Sequence, residues 1–348
     1  MTATLSTKAF AAKSATEALG PFTIERRQPQ ADDVLLDIKF CGICHSDLHQ
    51  ARNEWKNSTY PMVPGHEIVG VVKSVGSNVK DFKVGDSVGI GCFVNSCRKC
   101  EPCKNGEEQY CKDTAFTYNS SDNGHTTYGG YSTQITVDQK YLLKIPAGLS
   151  LDAAAPLLCA GITTYKPLKF WGAGPGKKVA IVGLGGLGHM AVKIAVAMGA
   201  EVSVLSRGNA KKEAAKKLGA HNFYATNDTK TMEELAEKFD LIIDTVSAEH
   251  DIDALLGTVK IGGTLVLVGV PPEGVKFNAH NLISKRRIFA GSMIGGIAET
   301  QEMLDFCAKH NVPADIELIK IQDVNEAYER MEKGDVRYRF VIDCASLN

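Results

Sequence analysis

Seven of the ten cysteines lie between Cys41 and Cys111, and four of them form the run Cys97-x2-Cys100-x2-Cys103-x7-Cys111. Short thiol spacings of this kind suit a tetrahedral structural Zn²⁺, because a tight loop can wrap four thiolates around one ion. The alternative is two disulfides. The first ten residues contain no apolar signal core, so we expect the chain to stay in a reducing cytosol, where disulfides are rare. The quartet therefore predicts a closed zinc site.

A second set of metal-binding residue types is spread along the chain. Cys44, His66 within Gly65-His66-Glu67, and the distant Cys159 provide two thiols and one imidazole. Such a set suits a catalytic zinc, which takes three protein ligands and keeps one position open. Taken alone, the same residues are also consistent with two buried thiols and a hydrogen-bonded core histidine. A closed and an open zinc in one chain suggest a metalloenzyme.

The segments that must position these ligands, residues 1 to about 150, have the pattern of short β-strands. Val34–Ile38 and Ile68–Val72 are rich in β-branched residues, and turn residues separate such runs. Many short strands with glycine turns predict a small closed or folded-over sheet rather than a parallel one. The cysteine quartet lies in a polar segment, 95–113, that would have little structure without a metal.

The pattern changes near residue 150. A buried strand at 179–182 runs into a glycine-rich turn, a helix follows, and 201–205 is the next strand. This is a βαβ unit of ordinary length, and alternating strands and helices continue the pattern. They predict a doubly wound parallel sheet over 151–288. We expect the tail, 289–348, to return to the first domain.

The glycines of Gly183-x-Gly185-x-x-Gly188 have separate jobs. The first makes a tight turn, the second lets the backbone approach a pyrophosphate, and the third lets helix and strand pack closely. The pyrophosphate then meets the free N–H groups at the start of the helix. The motif alone is weak evidence, but here it follows a strand and opens a helix. It therefore predicts a dinucleotide site.

The end of the second strand selects the dinucleotide. A carboxylate there would hold the ribose 2′-hydroxyl of NAD and repel the 2′-phosphate of NADP. Here the strand ends in Leu205-Ser206-Arg207, and Lys211 follows on the next turn. A guanidinium can hold a phosphate with two hydrogen bonds and a lysine adds a point charge, although both cations are also consistent with ordinary solvated side chains. The missing acid favours NADP.

Composition excludes other classes of function. Lys plus Arg (39) nearly balance Asp plus Glu (40) in 348 residues, for a net charge of -1. This balance leaves no electrostatic footprint for nucleic acid or an anionic membrane. No apolar stretch approaches the length that spans a bilayer. We expect a cytoplasmic, two-domain globular protein whose partner is a small molecule.

Taken together, these motifs resemble the zinc-dependent medium-chain alcohol dehydrogenases, and more narrowly the cinnamyl-alcohol-dehydrogenase branch with its bacterial aldehyde reductases. The resemblance covers nearly the whole chain. Its segments are 41–49, 64–67, 129–131, 158–164, 291–296 and 336–341. It implies a GroES-like catalytic domain of residues 1–150 and 289–348, with a Rossmann cofactor domain of 151–288 between them.

The resemblance also assigns roles to metal-site residues. The catalytic zinc ligands fall on Cys44, His66 and Cys159, and the structural zinc falls on the quartet of Cys97, Cys100, Cys103 and Cys111. Glu67 corresponds to a residue near the metal that can ligate it when the site is empty. Asp47 matches the carboxylate that orients the histidine ring. Cys41 and Cys92 match no ligand and are expected to be packing thiols.

Further roles concern catalysis and the cofactor. The resemblance implies a proton relay from Ser46 through the nicotinamide ribose to His49 at the surface. Trp55 and Phe93 match positions that line the substrate pocket, although both are equally consistent with core residues. Besides the glycines, Ser206, Arg207 and Lys211, the positions expected beside the cofactor are His45, Thr163, Gly186, Leu187, Val246, Val268, Ser292 and Arg337.

The leading interpretation is an NADP-dependent zinc alcohol dehydrogenase that works mainly as an aldehyde reductase of broad specificity, including aromatic, cinnamyl-type aldehydes. A polyol or secondary-alcohol dehydrogenase of the same superfamily is the runner-up, and the absent acid at Ser206 argues against it. A catalytically inactive, NADP-sensing zinc protein is the alternative outside enzymes. Candidates for all three catalytic ligands together with Ser46 argue against that alternative. Family members are often homodimers, so a homodimer is expected.

Overall fold

The computed structural model describes residues 4–271 and 274–347. They form two compact units. Unit 1 comprises Met1–Cys159 and Gly295–Asn348, and unit 2 comprises Ala160–Ile294. A two-domain chain in which the C-terminal tail rejoins the first part was expected from the sequence.

The breaks between the units lie at Cys159 and Ile294, not at 150 and 288, where the sequence placed them. Residues 151–158 form a short helix and a 3₁₀ turn that contact strand Asp33–Gly42 of unit 1. Strand Ile288–Gly291 pairs in parallel with Val259–Leu267 in unit 2. Each segment belongs to the unit against which it packs, and local sequence patterns do not reveal these packing partners. As limits of independently folding domains, the boundaries remain a prediction.

The helices and strands follow one another along the chain, beginning with a part of unit 1 that is mostly β. This part contains β1 (Thr4–Ala11), β2 (Gly20–Arg27), β3 (Asp33–Gly42), α1 (His45–Ala51), β4 (Ile68–Val75), β5 (Ser87–Ile90), β6 (Phe93–Asn95), α2 (Glu101–Lys104), β7 (Ala115–Phe116), β8 (Ser121–Asp122), β9 (His125–Thr126), β10 (Gln134–Asp138), β11 (Leu143–Lys144) and α3 (Leu151–Ala154). Unit 2 contains α4 (Ala160–Phe170), β12 (Lys178–Val182), α5 (Gly186–Ala197), β13 (Glu201–Ser206), α6 (Lys212–Lys217), β14 (Asn222–Ala225), α7 (Thr229–Glu234), β15 (Phe239–Asp244), α8 (Ile252–Thr258), β16 (Val259–Leu267), α9 (His280–Ile283) and β17 (Ile288–Gly291). The tail adds α10 (Ile297–His310), β18 (Ile316–Lys320), α11 (Val324–Glu332) and β19 (Arg339–Asp343). Within the described parts of the chain, no helix has the length and apolar character needed to cross a bilayer.

The main sheet of unit 1 has the order β11-β5-β4-β3-β19-β18, and β10 also pairs with β3. Strand β3 is antiparallel to both β4 and β19, and Cys41 pairs with Ile68 on one side and with Ile342 on the other. This register puts the residues that follow β3 beside those that precede β4. Strand β19 comes from the tail, which therefore returns to the first domain as expected.

Unit 2 is built on one sheet of six parallel strands, in the order β14-β13-β12-β15-β16-β17. Val179, Ala180 and Ile181 of β12 have no exposed surface, as expected for a parallel strand with helices on both faces. The chain leaves β12 in one direction to β13 and reaches β15 on the other side. Ligands of such sheets bind outside the carboxyl ends of the strands at this reversal. The predicted doubly wound sheet is confirmed.

The turn after β12 shows why glycine is needed at particular positions. Gly183 has a φ of +85°, which side chains rarely adopt. A Cβ atom on Gly188 would lie 2.2 Å from the carbonyl oxygen of Gly183, so helix α5 packs directly on the turn. A Cβ atom on Gly185 would meet nothing within 4 Å, which leaves open space beside the turn.

We predict that Gly188→Ala lowers the free energy of unfolding by roughly 1–3 kcal/mol, because the added methyl group forces the helix away from the turn. Gly257→Ala in helix α8 is the matched control, since a Cβ atom there meets nothing within 4 Å. The control gains helix propensity and is expected to be neutral or up to about 1 kcal/mol more stable. Urea unfolding measures both variants, and equal stabilities would contradict the prediction.

Candidate metal centres and dinucleotide loop

The dispersed metal-ligand types come together in unit 1. One ligand atom from each of Cys44, His66, Glu67 and Cys159 lies within 4.8 Å of all the others. Cys44 directly precedes α1, His66 and Glu67 precede β4, and Cys159 follows the 3₁₀ turn after α3. A tetrahedral zinc with thiolate and imidazole ligands holds these atoms about 3.3–3.8 Å apart. The ligand set therefore fits a zinc ion that keeps one position for another ligand.

Asp47 positions Cys44 and His66 through hydrogen bonds. Its carboxylate has no exposed surface. It accepts hydrogen bonds from the backbone N–H groups of Cys44 and Gly65, each at 2.9 Å, and contacts His66 Nδ1 at 3.2 Å. The Nδ1 contact leaves His66 Nε2 for a metal, as metal-bound histidines require. The contact predicted from the resemblance is present in the structure.

Charge and hydrogen bonding act in opposite directions on two of the ligands, because a metal binds the neutral form of His66 and the thiolate form of Cys44. Burial opposes a charge on the His66 ring, but the Asp47 carboxylate raises the pKa of His66 well above its ordinary value. The hydrogen bond with Cys159 lowers the pKa of Cys44 well below its ordinary value. Because metals bind the thiolate form of cysteine, this shift favours a bound cation.

Glu67 adds an acid that is only partly satisfied. Its Oε1 accepts a hydrogen bond from Arg339, which also donates to the Ile43 carbonyl oxygen at 2.8 Å. Its Oε2 is buried and has no hydrogen-bond partner among the described residues. Burial raises the pKa of Glu67, and the Arg339 guanidinium opposes that rise by favouring the carboxylate. A carboxylate oxygen without a hydrogen bond, close to the three ligands Cys44, His66 and Cys159, fits an occasional fourth metal ligand.

Arg339 was not predicted as a site residue, although it lies within the 336–341 segment of the resemblance. It is also buried, and a buried arginine needs hydrogen-bond acceptors, which can be a carboxylate or, as for Arg26, backbone carbonyl oxygens and a hydroxyl. That rule gives no partner by itself. Only the pairing of β19 with β3 brings Arg339 to Glu67.

The cysteine quartet forms the second cluster. The sulfur atoms of Cys97, Cys100, Cys103 and Cys111 lie within 4.8 Å of one another. Backbone N–H groups donate to two of them: Cys100 to Cys97 at 3.3 Å, and Cys97 to Cys111 at 3.4 Å. No disulfide joins any two of these four cysteines, so the disulfide alternative is not seen. Four thiols on one short loop fit a closed structural zinc.

The expected relay residues lie on helix α1. Cys44 Sγ lies 3.7 Å from Ser46 Oγ, within hydrogen-bond reach. His49 lies one turn further along, and its Nδ1 contacts the carboxylate of Glu54. The His49 ring also lies 5.4 Å from the ring of Trp55. Glu54, which fixes the orientation of the His49 ring, was not predicted from the sequence, because a carboxylate five residues after a histidine is too common to signal it.

The two predicted aromatic pocket residues have different surroundings. Trp55 is 43% exposed, whereas Phe93 is 3% exposed and meets the edge of Tyr141 at 6.0 Å. Phe93 therefore has the surroundings of a core residue rather than those of a residue that lines an open pocket. Cys41 is buried, as expected for a packing thiol. Cys92 donates to the Leu158 carbonyl oxygen at 3.8 Å, next to the ligand position 159.

The expected cofactor residues of unit 2 gather at the carboxyl end of its sheet. Helix α5 begins at Gly186 without a side-chain cap, and Leu187 lies in its first turn. Lys211 Nζ donates to the Leu184 carbonyl oxygen at 2.8 Å, so Lys211 is held against the glycine-rich turn. Ser206 ends β13, and Arg207 follows it with an exposed side chain.

The other predicted cofactor positions are distributed over several elements of both units. Val246 follows β15 and Val268 follows β16, whereas Thr163 is buried in α4 and Ser292 follows β17. His45 and Arg337 belong to unit 1, where both are at least partly exposed.

Comparison with known proteins agrees with this geometry. Residues 30–147 match the alcohol dehydrogenase GroES-like domain, and residues 186–309 match the zinc-binding dehydrogenase family. The NADP-dependent alcohol dehydrogenase C 1 of Mycolicibacterium smegmatis is 58% identical over 342 residues, which cover 97% of this chain and 98% of that protein. An aldehyde reductase of Escherichia coli is 53% identical over 345 residues, which cover 98% and 99%. The structure of a cinnamyl alcohol dehydrogenase from Sorghum bicolor superposes with a TM-score of 0.95 at 47% identity, covering 98% of both chains.

The chain belongs to the zinc-dependent medium-chain alcohol dehydrogenases, in their cinnamyl-alcohol-dehydrogenase branch. The family and the fold class predicted from the sequence, a GroES-like domain and a Rossmann domain, are confirmed.

The two metal centres are expected to respond differently to loss of a thiol. Cys100→Ser should remove one zinc ion and lower the thermal stability, because the quartet loop takes its folding energy from the metal. Cys44→Ser should remove the other ion and abolish turnover with a smaller effect on stability. Elemental analysis and thermal unfolding measure both effects. Cys307→Ala, a buried cysteine outside both clusters, should keep both ions, and active wild-type protein with fewer than two zinc ions would rule out this assignment.

Proposed function

We propose that this protein is an NADP-dependent zinc alcohol dehydrogenase that mainly reduces aldehydes, with broad specificity that includes aromatic, cinnamyl-type aldehydes. The observation that carries the proposal is the convergence of Cys44, His66 and Cys159 in front of the buried carboxylate of Asp47. The name of the Mycolicibacterium smegmatis relative supports NADP as the cofactor, and that of the Escherichia coli relative supports aldehyde reduction. The name of the Sorghum bicolor structure supports cinnamyl-type substrates. A cytoplasmic location and a homodimer, both implied by the resemblance, belong to the same proposal.

The chemistry divides between bound groups and the chain. Bound zinc supplies a Lewis acid that polarises a carbonyl oxygen, and NADPH supplies the hydride. Cys44, His66 and Cys159 would hold the metal, and Asp47 keeps the His66 ring oriented. Glu67, with one oxygen tied to Arg339, would ligate the metal only when another ligand leaves.

Ser46 and His49 would move the proton that aldehyde reduction consumes. Ser46 Oγ lies beside the Cys44 thiol at 3.7 Å and is therefore close to the ligand cluster. His49 is partly exposed, so its ring can exchange protons with water. In this proposal Glu54 accepts from His49 Nδ1–H, which makes Nε2 the exchanging nitrogen.

We predict that Ser46→Ala lowers kcat by about 100-fold or more, since it removes the proton donor, while NADPH binding stays near normal. His49→Gln should lower kcat less, because water can replace a surface histidine. Ser46→Thr keeps the hydroxyl and is the matched control, which should retain most of the activity. Wild-type rates for Ser46→Ala and His49→Gln across the pH range would show that the relay assignment is wrong.

The choice of cofactor would depend on the end of β13. Arg207 is exposed there and can form a bidentate contact with a 2′-phosphate, and Ser206 offers a hydroxyl in place of the acid typical of NAD enzymes. Lys211, tied to the Leu184 carbonyl oxygen, would add positive charge beside the glycine-rich turn. The open space beside Gly185 is consistent with a pyrophosphate close to the backbone.

Replacing Ser206 by Asp and Arg207 by Gln is expected to invert the cofactor preference. The substitution removes the contact between Arg207 and the 2′-phosphate. A charge-assisted hydrogen bond of this kind contributes roughly 1.5–3 kcal/mol, which corresponds to about ten- to a hundredfold in the affinity for NADPH. The new carboxylate accepts the NAD ribose hydroxyl and repels the 2′-phosphate, so gain and penalty act in the same direction. The measurement is the ratio of kcat/KM for NADPH and NADH.

Lys212→Gln serves as the control for this switch, because it removes one exposed positive charge close to Arg207 in sequence. Its cofactor ratio should stay near that of the wild type. A wild-type enzyme that uses NADH as well as NADPH would exclude the proposed specificity.

A further inference from the structure

Asp244 and His250 form a partly buried pair at the carboxyl edge of the unit 2 sheet. Asp244 is the last residue of β15 and has no exposed surface. His250 lies before α8, and its Nε2 is 2.7 Å from Asp244 Oδ2. Its Nδ1 is 2.8 Å from the carbonyl oxygen of Ala248. Neither the metal centres nor the proposed proton relay uses this pair.

The two contacts determine how many protons the pair contains. A carboxylate and a carbonyl oxygen only accept hydrogen bonds, whereas a neutral imidazole has a single N–H group to donate. Both contacts are satisfied together when His250 is an imidazolium that donates from both nitrogens. The carboxylate of Asp244 also raises the pKa of His250, although burial of the ring opposes this.

Asp244 connects two segments that follow neighbouring strands. Its Oδ1 accepts from the Val246 N–H at 3.1 Å. Its backbone carbonyl oxygen accepts from the Val268 and Gly269 N–H groups at 2.9 and 3.1 Å. Any displacement of Asp244 would therefore move the segments after β15 and β16 together.

Val246 is closely packed on both sides. A Cβ atom on Gly269 would lie 2.3 Å from the Val246 carbonyl oxygen. A Cβ atom on Gly183 would lie 3.0 Å from Val246 Cγ2. The position of Val246 therefore depends on the same contacts that shape the glycine-rich turn.

We propose that Asp244 and His250 are a positioning pair for the cofactor: protonated His250 holds Val246 and Val268 in the conformation that binds NADPH most tightly. The inference depends on the proposed function, because Val246 and Val268 are cofactor positions in that proposal. It goes further by assigning a proton-dependent role to two residues that contact neither zinc nor substrate in it.

The expected pH dependence follows from the proton count. Deprotonated His250 can donate to only one acceptor, and the Asp244 carboxylate loses its counter-charge. The charged groups that act on His250 are Asp244 at the end of β15 and Asp251 at the start of α8. Both are acids, so they favour the protonated ring. Because the folded-state pKa is raised, this stabilisation is fully present below about pH 6.5 and is lost as the pH rises through the raised pKa.

The test is the dissociation constant of NADPH for the zinc-loaded full chain, measured by fluorescence across neutral and alkaline pH. We expect wild-type affinity to fall roughly tenfold on the alkaline side, within the usual range of coupling between sites. His250→Gln donates to Asp244 without titrating, so its alkaline decrease should be absent. Weakening below about pH 6, where a phosphate gains a proton, should be common to both proteins.

Two further variants sharpen the test. Asp244→Asn can donate to a neutral His250, whose remaining N–H then bonds to Ala248, so its binding should also be independent of alkaline pH. His280→Gln changes an exposed histidine of the same unit and should keep the wild-type profile. An alkaline decrease of wild-type size in His250→Gln would overturn the inference.

Other outcomes separate this inference from the proposed function. A wild-type chain that binds NADPH at no pH contradicts the proposed function, whereas tight binding that does not weaken at alkaline pH contradicts the positioning pair alone. Should the variants fail to fold, ring ¹⁵N shifts of wild-type His250 at pH 7 decide the matter. Two protonated nitrogens in the NADPH complex support the inference, and one bare nitrogen overturns it.

Discussion

The buried carboxylate of Asp47 is the interaction on which the open metal centre depends. Burying a charge is costly unless hydrogen bonds replace its hydration. Asp47 meets this condition with the N–H groups of Cys44 and Gly65 and with the ring of His66. Because these groups flank β3 and β4, satisfying one charge also fixes the relative position of two metal ligands. A strand register other than the observed one would remove the Gly65 and His66 contacts and leave the carboxylate with the local Cys44 N–H alone.

Glu67 and Arg339 extend the same constraint to the C-terminal tail. A buried ion pair contributes little net stability, but losing one partner costs about 3–5 kcal/mol, because it leaves a buried charge without compensation. Strand β19 must therefore lie beside β3 for Glu67 to be tolerated behind the ligand cluster. The pair makes the position of the tail specific, whereas the burial of Phe340, Val341 and Ile342 stabilises β19 in unit 1. The pair also leaves one oxygen of Glu67 without a hydrogen bond among the described residues, close to where a metal would bind.

The two sulfur-containing clusters have different surroundings. This difference indicates which cluster would hold a structural zinc and which a catalytic zinc. The quartet lies on a short loop with three partly exposed thiols, one buried thiol and backbone N–H donors, so a bound ion there completes the loop's own fold. The Cys44, His66 and Cys159 cluster draws its ligands from separate elements that already pack in unit 1. Its fold depends less on an ion, and the open position is available for reaction. In the NADP-dependent reduction proposed for this protein, the quartet would stabilise its loop, and the Cys44, His66 and Cys159 cluster would hold the zinc that binds the substrate.

By itself, the sequence determined the features that are encoded within a few residues. The spacing of Cys97, Cys100, Cys103 and Cys111, the glycines between Gly183 and Gly188, and the missing acid at Ser206 each carry their meaning locally. They predicted a closed zinc site, a dinucleotide site and the preference for NADP, while the patterns of strands and helices predicted the two fold classes and the resemblance over nearly the whole chain predicted the family. A resemblance over the whole chain was also sufficient to select Cys44, His66 and Cys159, which lie far apart in sequence.

The tertiary structure alone decided the pairings. Arg339 meets Glu67 across 272 residues of chain, His250 meets Asp244 on the far side of a turn, and Lys211 bonds to the Leu184 carbonyl oxygen. It also moved the first break between the units to Cys159. The physical reason is that each of these contacts depends on strand register and on the path of a loop. Those are set by the burial of many side chains at once, whereas residue type and spacing report only on the immediate neighbours of a residue.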